Sequence, residues 1–532
     1  MQLKGLVAII TGGAKGIGKA IVESLLEEQV KVYVFDVDEE EMKKAQKRFD
    51  EEYGKGQAVC IKCDVTCQDA FENAVERIFQ EQNRLDILCN NAGIPPTSDI
   101  KKLIDTNLTS VIRGTIIAMK YMDTKTGGRG GNIIQMGSMS GLSYYPAHCE
   151  YTAAKHGIIG FTKGFAKEAF SKGVRINCIC PSCVDTDMLR IVTKDNPIMQ
   201  QAVEAMGVQT VDVVAKGFLE LLHDEERVGE VMRITVKNGI DFHKFPEEPV
   251  PMPLPQSQTV NDSWRIEIAR DSVSVMNSKV KIEGSVAIVT GGARGIGKAI
   301  TDALLHNKAK VYFLDIDVDE GKNVQNEFED KFGQGKAIFL ECNVTNYEIL
   351  EAIISKVVKD NGHLDILVNN AGIGPTDDIE KLVSINLAAV IRGTLLGVKY
   401  MDKKNGGRGG CIVNMGSAGG LCYIPNSNCA YIASKHGVVG FTRTYAKVAI
   451  ESGIRLNCIC PSIVDTDLLR KSLERDPTVQ QFIDQLGTQT VDVVAEGFIQ
   501  LLNDVDKVGE AMRISVQNRI DYHKFSEETI PL

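Results

Sequence analysis

Two sets of serine, tyrosine and lysine residues recur along this sequence with a spacing that suits proton transfer. Tyr151 and Lys155 stand four residues apart in the helical stretch YTAAKHGIIGFTK, which places both on one helix face. Ser138 precedes Tyr151 by 13 residues, at the end of an apolar run. The same order returns, with 14 residues between serine and tyrosine, in Ser417, Tyr431 and Lys435. A lone Tyr-x-x-x-Lys pair is common by chance, so the order and the duplication carry the inference.

These residue types predict hydride chemistry on a secondary alcohol or its ketone. Taking the hydroxyl proton needs a base, yet free tyrosine titrates near pH 10. The ammonium of Lys155 and a positively charged nicotinamide would both favour tyrosinate, which makes Tyr151 a usable general base. Ser138 would hydrogen-bond the substrate oxygen as it gains carbonyl character, and Lys155 would also hold nicotinamide-ribose hydroxyls. The hydride would pass directly to the cofactor.

A glycine-rich string, TGGAKGIG from Thr11, follows the first predicted strand and opens the first predicted helix. Gly12 and Gly16 would allow a tight turn and close backbone approach to a pyrophosphate, while Gly18 would let the helix pack on the sheet and point its N-terminus at the anion. The string recurs as TGGARGIG. The predicted cofactor contacts here are Gly12, Gly16, Ile17 and Gly18, repeated as Gly291, Gly295, Ile296 and Gly297.

An aspartate ends the second predicted strand of each copy, Asp36 in the first and Asp315 in the second. Such a carboxylate, about 20 residues past the glycines, can accept hydrogen bonds from adenosine-ribose hydroxyls and would repel a 2′-phosphate. Lys15 and Arg294, inside the glycine loops, favour NADP instead. We give the acid precedence, and the sequence therefore predicts NAD.

The elements that must position these residues alternate between strands and helices. In the first copy the apolar runs of strand length are LVAII, KVYVF, AVCIK, LDILC, GNIIQM, RINCIC and VMRITV. Longer stretches of helical period separate them, which indicates βαβ units around a parallel sheet covered on both faces. The predicted fold class is α/β, with two doubly wound Rossmann-type parallel-sheet domains in tandem, each of about seven strands.

The tandem arrangement follows from an internal repeat. The glycine string returns 279 residues later, as do close copies of CDVT, LDILCNNAGI and VIRGT, and one inserted residue between Pro425 and Tyr431 makes the offset 280 thereafter. A period this long indicates duplicated domains, because solenoid repeats run about 20 to 50 residues. The predicted domains are residues 1–245 and 279–532, joined by a proline-rich linker at 246–278. The sequence leaves open whether the tandem is a natural fusion or two joined coding units.

Composition excludes several functional classes. The chain has 532 residues, 43% hydrophobic and 24% charged, as in ordinary globular proteins. Its net charge of -10 disfavours a nucleic-acid partner. We find neither an apolar run of about 18 residues nor a signal peptide, which predicts a cytoplasmic protein without a membrane span.

The 14 cysteines lie mostly in apolar runs, which favours buried reduced thiols. Two CxxC pairs, starting at Cys60 and Cys180, each lose a cysteine in the second copy, to Phe339 and Ile463. No metal site is predicted.

Taken in order, these motifs resemble those of the short-chain dehydrogenase/reductase family, with its TGxxxGxG, NNAG, Asn, Ser and YxxxK elements. The matching positions not yet named are Asn90 to Gly93 and Asn107, with Asn369 to Gly372 and Asn386 in the second copy. The strings SKHGVVGFTR, RLNCICPS and GGRGG are most similar to those of NAD-dependent 15-hydroxyprostaglandin dehydrogenases and insect-type alcohol dehydrogenases.

The resemblance implies further site residues. Asn107 and Asn386 would anchor a water that passes the proton outward. Adenine would meet the residues after the third strand, the NNAG segment would line the cofactor cleft, and a threonine would hold the nicotinamide carboxamide. In the first copy these are Asp64, Val65, Asn90, Asn91, Gly93 and Thr186, and in the second Asn343, Val344, Asn370, Gly372 and Thr466. Two departures from the family pattern are Ser182 and Ser462 in place of a glycine. Asn343 in place of Asp64 predicts a modest change in affinity.

Substrate specificity is expected in the segment after Thr186 and in the loop before Tyr151, where His148 aligns with Asn428. His148 either contacts substrate or is a solvated loop residue. The apolar residues of the first segment, Met188, Leu189 and Met206, suit a lipid-like alcohol or serve only in packing. A hydroxylated fatty-acid or prostaglandin-like substrate is implied by the resemblance alone.

The resemblance also implies pairing through the helix that carries the tyrosine. The expected partners are thus a small alcohol or ketone and a second unit, in an intramolecular pseudo-dimer or a homo-oligomer. Two rival interpretations stay open at this point. One unit is active and the other degraded, as Asn343 and the inserted residue suggest, or the chain is a nucleotide-binding scaffold without turnover.

Overall fold

The computed structural model describes residues 2–144, 146, 148–245, 281–423, 428–477, 479–517 and 519–525. We call residues 2–245 the first unit and 281–525 the second unit. The predicted linker at 246–278 lies outside the described residues, as do 424–427 next to the inserted residue.

The first unit is built on a single sheet in the order β3-β2-β1-β4-β5-β6-β7-β8. All neighbours pair in parallel except β7 and β8, which pair antiparallel. The strands are β1 Val7–Thr11, β2 Lys31–Asp36, β3 Ala58–Lys62, β4 Ile87–Asn90, β5 Gly131–Met136, β6 Val174–Pro181, β7 Val231–Thr235 and β8 Gly239–Phe242.

Helices connect these strands, as the apolar periodicity predicts. They are Gly16–Glu27, Glu39–Tyr53, Gln68–Gln82, Ile100–Ile104, Ser110–Met122, Cys149–Ser171, Asp187–Thr193, Pro197–Met206 and Val211–His223. A π-helical turn, Asp105–Thr109, joins the fourth and fifth of them, and short 3-10 turns lie at Thr124–Thr126 and Met139–Gly141.

The second unit repeats this architecture, with sheet order β11-β10-β9-β12-β13-β14-β15-β16. Its strands are β9 Val286–Thr290, β10 Lys310–Asp315, β11 Ala337–Glu341, β12 Ile366–Asn369, β13 Gly410–Met415, β14 Ile454–Pro461, β15 Ala511–Ser515 and β16 Arg519–Tyr522. Its α-helices are Gly295–His306, Val318–Phe332, Tyr347–Asn361, Ile379–Val383, Ala389–Met401, Cys429–Ala449, Asp467–Arg475, Val479–Leu486 and Val491–Asn503. Its π-helical turn is Ser384–Ala388, and its 3-10 turns are Lys403–Asn405, Ala418–Gly420 and Ile450–Ser452.

The predicted pair of doubly wound parallel sheets is confirmed, with one strand more per unit than the seven apolar runs suggested. The extra strand, Gly239–Phe242, folds back on β7 through a short turn that ends at Gly239, where φ is +68°. A strand this short shows little apolar periodicity, and so it was not among the strands predicted from the apolar runs.

The order of strands places a crevice at the carboxyl ends of β1 and β4. The chain winds outward from β1 through β2 and β3 on one side, and then from β4 through β8 on the other. Ligands of open α/β sheets bind where the winding reverses in this way. The glycine loop after β1, the acid ending β2 and the segment after β4 therefore meet at one edge.

One stretch of the described chain, Ile379–Met401, has the length, 23 residues, and the apolar composition that a membrane span needs. However, 72% of its most apolar window is buried inside the protein. Its apolar residues, such as Leu387 and Ile391, belong to the hydrophobic core. Core packing accounts for this apolarity.

The two units meet along the long helices that carry the predicted tyrosines. We call Cys149–Ser171 the Tyr151 helix and Cys429–Ala449 the Tyr431 helix. Glycines allow the close approach: a Cβ on Gly160 would lie 2.6 Å from Cγ of His436, and one on Gly440 would lie 2.5 Å from Cγ of His156. Each imidazole thus packs on a glycine of the opposite helix.

These two histidines predict that acid destabilises the chain. Burial lowers the pKa of His156 and of His436 to about 4, so the folded chain binds fewer protons than the unfolded chain below pH 6.5. The stabilisation is complete above pH 6.5 and is lost as the pH falls toward 4. Going from pH 7 to pH 5 should lower the free energy of unfolding by about 2 kcal/mol per histidine. Chemical denaturation at the two pH values measures this loss.

The matched variant is the double substitution His156→Gln and His436→Gln, which keeps a polar side chain that does not titrate. Its unfolding free energy should change several kcal/mol less between pH 7 and pH 5 than that of the unaltered chain. An equal pH dependence in both proteins would contradict this assignment.

Candidate active site

A cavity of about 2340 Å³ in the first unit brings together nearly all the predicted site residues. Of the first-unit residues predicted from the sequence, only Asn90 and Asn107 are missing from its lining. The lining includes Gly12, Gly16, Ile17, Gly18, Asp36, Asp64, Val65, Asn91, Gly93, Ser138, Tyr151, Lys155 and Thr186. The cavity exceeds the usual size of a small-molecule pocket, about 300 to 1,000 Å³, and suits a dinucleotide together with a substrate.

The glycine loop has no room for side chains. Gly12 and Gly16 have φ of +63° and +57°, a backbone conformation that favours glycine. A Cβ on Gly18 would lie 2.2 Å from the carbonyl oxygen of Gly12, and one on Gly297 would similarly clash with Gly291. The helix Gly16–Glu27 starts within this loop, so its free N–H groups face the cavity edge. The loop therefore fits a bound pyrophosphate.

Asp36 is held rigidly at the end of β2. Its Oδ1 accepts from the amides of Val37 at 2.8 Å and Asp38 at 3.1 Å, and its Oδ2 accepts from Ala14 N at 3.1 Å. Asp315 accepts the corresponding three amide hydrogen bonds in the second unit. A fixed carboxylate here fits ribose hydroxyls and opposes a 2′-phosphate.

The basic residue of each glycine loop is paired with an acid. Lys15 Nζ lies 3.3 Å from Asp38 Oδ2, and Arg294 forms the equivalent pair with Asp317. The charge that favoured NADP in the sequence is thus offset by a carboxylate from the turn after β2. The geometry agrees with the precedence given to Asp36 and Asp315.

The two asparagines after β4 have different roles. Asn91 Nδ2 donates to the carbonyls of Thr11 at 2.9 Å and Gly12 at 3.0 Å, and so braces the glycine loop from the cavity side. Asn90, expected in the cleft lining, is 3% exposed and donates to Gln135 Oε1 at 2.9 Å inside the core. Successive strand residues point to opposite faces, and this separates the two side chains.

The adenine-side residues keep one local conformation in both units. Asp64 Oδ1 accepts from the amide of Thr66 at 2.8 Å, and Asn343 Oδ1 accepts from that of Thr345 at 3.1 Å. The amide oxygen therefore replaces the carboxylate in the same turn. The substitution gives no structural sign of a degraded second unit.

Thr186 begins the helix Asp187–Thr193, and its Oγ1 accepts from Leu189 N at 3.4 Å. Its methyl group would lie 3.5 Å from a Cβ on Gly16, so it adjoins the glycine loop. Thr466 repeats both features. Ser182, in place of the family's glycine, is accommodated because its Oγ accepts from Gln209 Nε2 at 3.2 Å.

The serine, tyrosine and lysine of the first unit converge on the cavity. Lys155 Nζ lies 5.4 Å from the ring centroid of Tyr151 and donates to the carbonyl of Met136, the last residue of β5, at 2.8 Å. Ser138 follows β5 by two residues, and its Oγ accepts from Ser140 N at 3.1 Å. The strand end fixes the serine and the lysine together, and the helix brings the tyrosine alongside.

The second unit reproduces this arrangement in a desolvated environment. Lys435 Nζ donates to Met415 O at 2.9 Å and lies 5.7 Å from the ring centroid of Tyr431. Burial raises the pKa of Tyr431, and a hydrogen bond with Ser417 opposes that rise. Burial also lowers the pKa of Lys435 to about 8. Both shifts disfavour charge before a cofactor binds.

Asn107 lies behind the cavity wall, in the π-helical turn Asp105–Thr109. It is fully buried, accepts from Ile94 N at 2.8 Å and donates to Ile94 O at 2.9 Å. Asn386 holds Ile373 in the same way. In this structure the asparagine fixes the segment after β4, and a role in proton relay stays a prediction. The π turn was not foreseen, since no residue pattern distinguishes it from α-helix.

The substrate side of the cavity contains the predicted specificity segments. Met188, Leu189 and Met206 all line it, as does His148. His148 adopts φ of +60°, whereas Asn428 at the aligned position has φ of −61°. Residues of the second unit, including Arg443 and Phe525, also line this cavity, which the sequence analysis did not predict.

Comparisons with known proteins agree with this geometry. The family model for short chain dehydrogenase matches residues 6–197 and 285–477. The chain is 40% identical over 256 residues to 15-hydroxyprostaglandin dehydrogenase (NAD(+)) of Mus musculus, covering 46% of this chain and 94% of that protein. The Homo sapiens protein of the same name is also 40% identical over 256 residues, with 46% and 96% covered. A 3beta-hydroxysteroid dehydrogenase 2 of Eggerthella lenta is 38% identical over 206 residues, with 36% and 77% covered.

Proposed function

This chain belongs to the short-chain dehydrogenase family, and we propose that each of its units transfers a hydride between a secondary alcohol and NAD. The observation that supports this most strongly is the grouping of Ser138, Tyr151 and Lys155 in one cavity with the glycine loop. The matching contacts of Lys435 and Tyr431 extend the proposal to the second unit.

NAD is the cofactor. The relatives from Mus musculus and Homo sapiens carry NAD(+) in their names, and Asp36 and Asp315 each present a fixed carboxylate where a 2′-phosphate would be repelled. The glycine loop and helix N-terminus would hold the pyrophosphate, and Lys155 the nicotinamide ribose. When bound, NAD supplies the hydride acceptor for alcohol oxidation.

The residues of the chain perform the proton chemistry. Tyr151 takes the hydroxyl proton of the substrate, while Ser138 donates a hydrogen bond to the substrate oxygen as its carbonyl character grows. The ammonium of Lys155, fixed on Met136 O at 2.8 Å, stabilises the tyrosinate. Asn107 acts as a positioning residue that holds the segment after β4, and it anchors a water through which the proton leaves.

We further propose an apolar, lipid-like alcohol as substrate, such as a hydroxylated fatty acid or a prostaglandin-like lipid. Met188, Leu189 and Met206 on the cavity wall support an apolar substrate. The names of the mammalian relatives point in the same direction. His148, which lines the same cavity, is a candidate substrate contact.

The two units are proposed to work as an intramolecular pseudo-dimer in the cytoplasm. The packing of Gly160 against His436 and of Gly440 against His156 supports pairing within one chain. The helices concerned are those that carry the tyrosines, so the interface and the two sites share a framework.

The proposal is tested by incubating the whole chain with a panel of secondary alcohols, with NAD or with NADP, and following the absorbance of the reduced cofactor. We expect an apolar secondary alcohol to reduce NAD. The rate with NADP should be at least about tenfold lower, because one unfavourable charge contact is enough to cause a difference of this size. Absence of turnover with every alcohol, despite binding of NAD, would leave only the scaffold interpretation.

A further inference from the structure

The second unit closes one end of the first unit's cavity. The lining there comes from the Tyr431 helix and the 3-10 turn that follows it, from the turn before β15, and from the end of β16 and the residues after it. Its charged members are four cations and two carboxylates, namely Arg443, Lys447, Lys507, Lys524, Glu451 and Glu510. The cavity wall that the second unit forms therefore has an excess of positive charge.

Arg443 packs against two aromatic rings on this wall. Its guanidinium carbon lies 4.1 Å from the ring centroid of Tyr144, in the first unit, and 3.4 Å from that of Phe525, in the second. Tyr144 in turn stacks on His156, with 5.2 Å between ring centroids. Lys447, one turn beyond Arg443, donates to the carbonyl of Tyr144 at 3.0 Å. The two ring centroids are 5.9 Å apart and their planes are inclined by 73°, so the rings enclose the guanidinium on two adjacent sides and restrict its movement.

Arg443 has no anion to pair with in the described part of the chain. Its Nε is buried without a hydrogen-bond partner, and none of the described acidic residues pairs with the guanidinium. Other arginines differ: Arg190 pairs with Asp185 and Arg470 with Asp465. A charged donor deprived of water and of an acceptor is costly, unless a ligand supplies the acceptor. With Nε enclosed, the terminal nitrogens are the donors available to a ligand in the cavity that Arg443 lines.

We propose that Arg443 of the second unit binds the carboxylate of the substrate whose alcohol Tyr151 oxidises in the first unit. This inference rests on the proposed function and specifies its substrate as a hydroxy acid with an apolar body. A guanidinium fork matches the two oxygens of a carboxylate, and its contacts with the two rings limit the loss of freedom on binding. Phosphate shares this chemistry, so the test includes both anions.

The equivalent position on the other side of the interface is different. Lys163 lies 280 residues before Arg443, and its Nζ is 4.3 Å from the Phe245 ring and 5.3 Å from the Tyr423 ring. Its ammonium has an acceptor, Gly229 O, at 3.4 Å, and burial lowers the pKa of Lys163. Lys163 has neither a planar fork nor an unsatisfied donor. Carboxylate selectivity is therefore assigned to the first unit's site.

The test uses the whole chain with Tyr431→Phe, so that only the first unit turns over, with and without Arg443→Met. The substrates are a hydroxy fatty acid, its methyl ester and its coenzyme A thioester, the last of which carries phosphates instead of the carboxylate. We expect Arg443→Met to raise KM for the acid by about 10- to 100-fold, as for loss of a charge-assisted hydrogen bond. The ester should change less than about threefold, and Arg443→Lys should restore part of the acid's KM.

The matched control is Lys163→Met, which removes the equivalent cation from the inter-unit stack outside this cavity. It should leave the ratio of KM for the acid to KM for the ester unaltered. A general loosening of the interface would change this ratio equally in Lys163→Met and Arg443→Met. Equal effects of Arg443→Met on acid and ester, or an effect confined to the thioester, would overturn the inference. In either case the unaltered chain still oxidises the alcohol. If the proposed function itself is wrong, the unaltered chain oxidises none of the three substrates, so the two failures are distinguishable.

Discussion

Replacing Tyr151 and Tyr431 together with phenylalanine is expected to lower kcat for alcohol oxidation by about 1,000-fold. The substitution removes the phenol oxygen that takes the proton but keeps the ring, and general-base catalysis typically contributes about 100- to 10,000-fold. Each single variant should keep the rate of the unit left intact, so the two residual rates should sum to that of the unaltered chain. Initial rates at saturating NAD measure this, with NAD affinity determined separately.

Tyr121→Phe is the matched control, because Tyr121 packs on Phe79, 5.0 Å between ring centroids, and does not line the cavity. It should retain full activity. If Tyr431→Phe leaves the rate unchanged, the second unit does not contribute, and the interpretation with one degraded unit holds. If the double variant keeps most of its activity, tyrosine is not the base.

The second large effect is expected from adding one methyl group to each glycine loop. Gly18→Ala places a Cβ 2.2 Å from Gly12 O and 2.5 Å from Asn91 Nδ2, so the loop or the helix start must move. Because NAD binds the loop in its original position, the bound state has to bear this overpacking, which costs about 1–3 kcal/mol and corresponds to about 10- to 100-fold weaker NAD binding at that site. Calorimetric titration should show loss of one of two tight sites, and Gly18→Ala with Gly297→Ala should lose both.

Ser24→Ala, in the same helix, is the control for this experiment. Ser24 Oγ only donates to Ile21 O at 2.9 Å, away from the cavity. Its loss should leave both NAD sites in place. Two unweakened sites in the double glycine variant would show that the cofactor does not approach this loop.

Local patterns were enough to predict most of the candidate site. The glycine loop and Asp36 each occupy one strand end, and Tyr151 and Lys155 share a helix face, so spacing along the chain determines their positions. Asn90 shows the limit of this reasoning. The NNAG segment was assigned to the cleft as a whole, but the two asparagines point to opposite faces, and only Asn91 reaches the glycine loop.

The remaining features depend on contacts between distant segments. Arg443 lies 305 residues beyond Ser138, and nothing local in GFTRTYAK indicates that it lines the first unit's cavity. One signal was present: the endings DFHKF and DYHKF recur in both copies, and their last three residues lie beyond the last strand. The last residue of each ending contributes to the stacks between the units, as the contacts of Phe525 with Arg443 and of Phe245 with Lys163 show.

Transfer of deuterium tests the proposed chemistry most directly. The whole chain is incubated with NAD and with a secondary alcohol that it oxidises in the panel experiment, prepared with deuterium on the carbinol carbon. The reduced cofactor is then analysed by mass spectrometry. Direct transfer predicts one deuterium in each reduced cofactor, with the label lost from the product ketone. Reduced cofactor without the label would contradict the account.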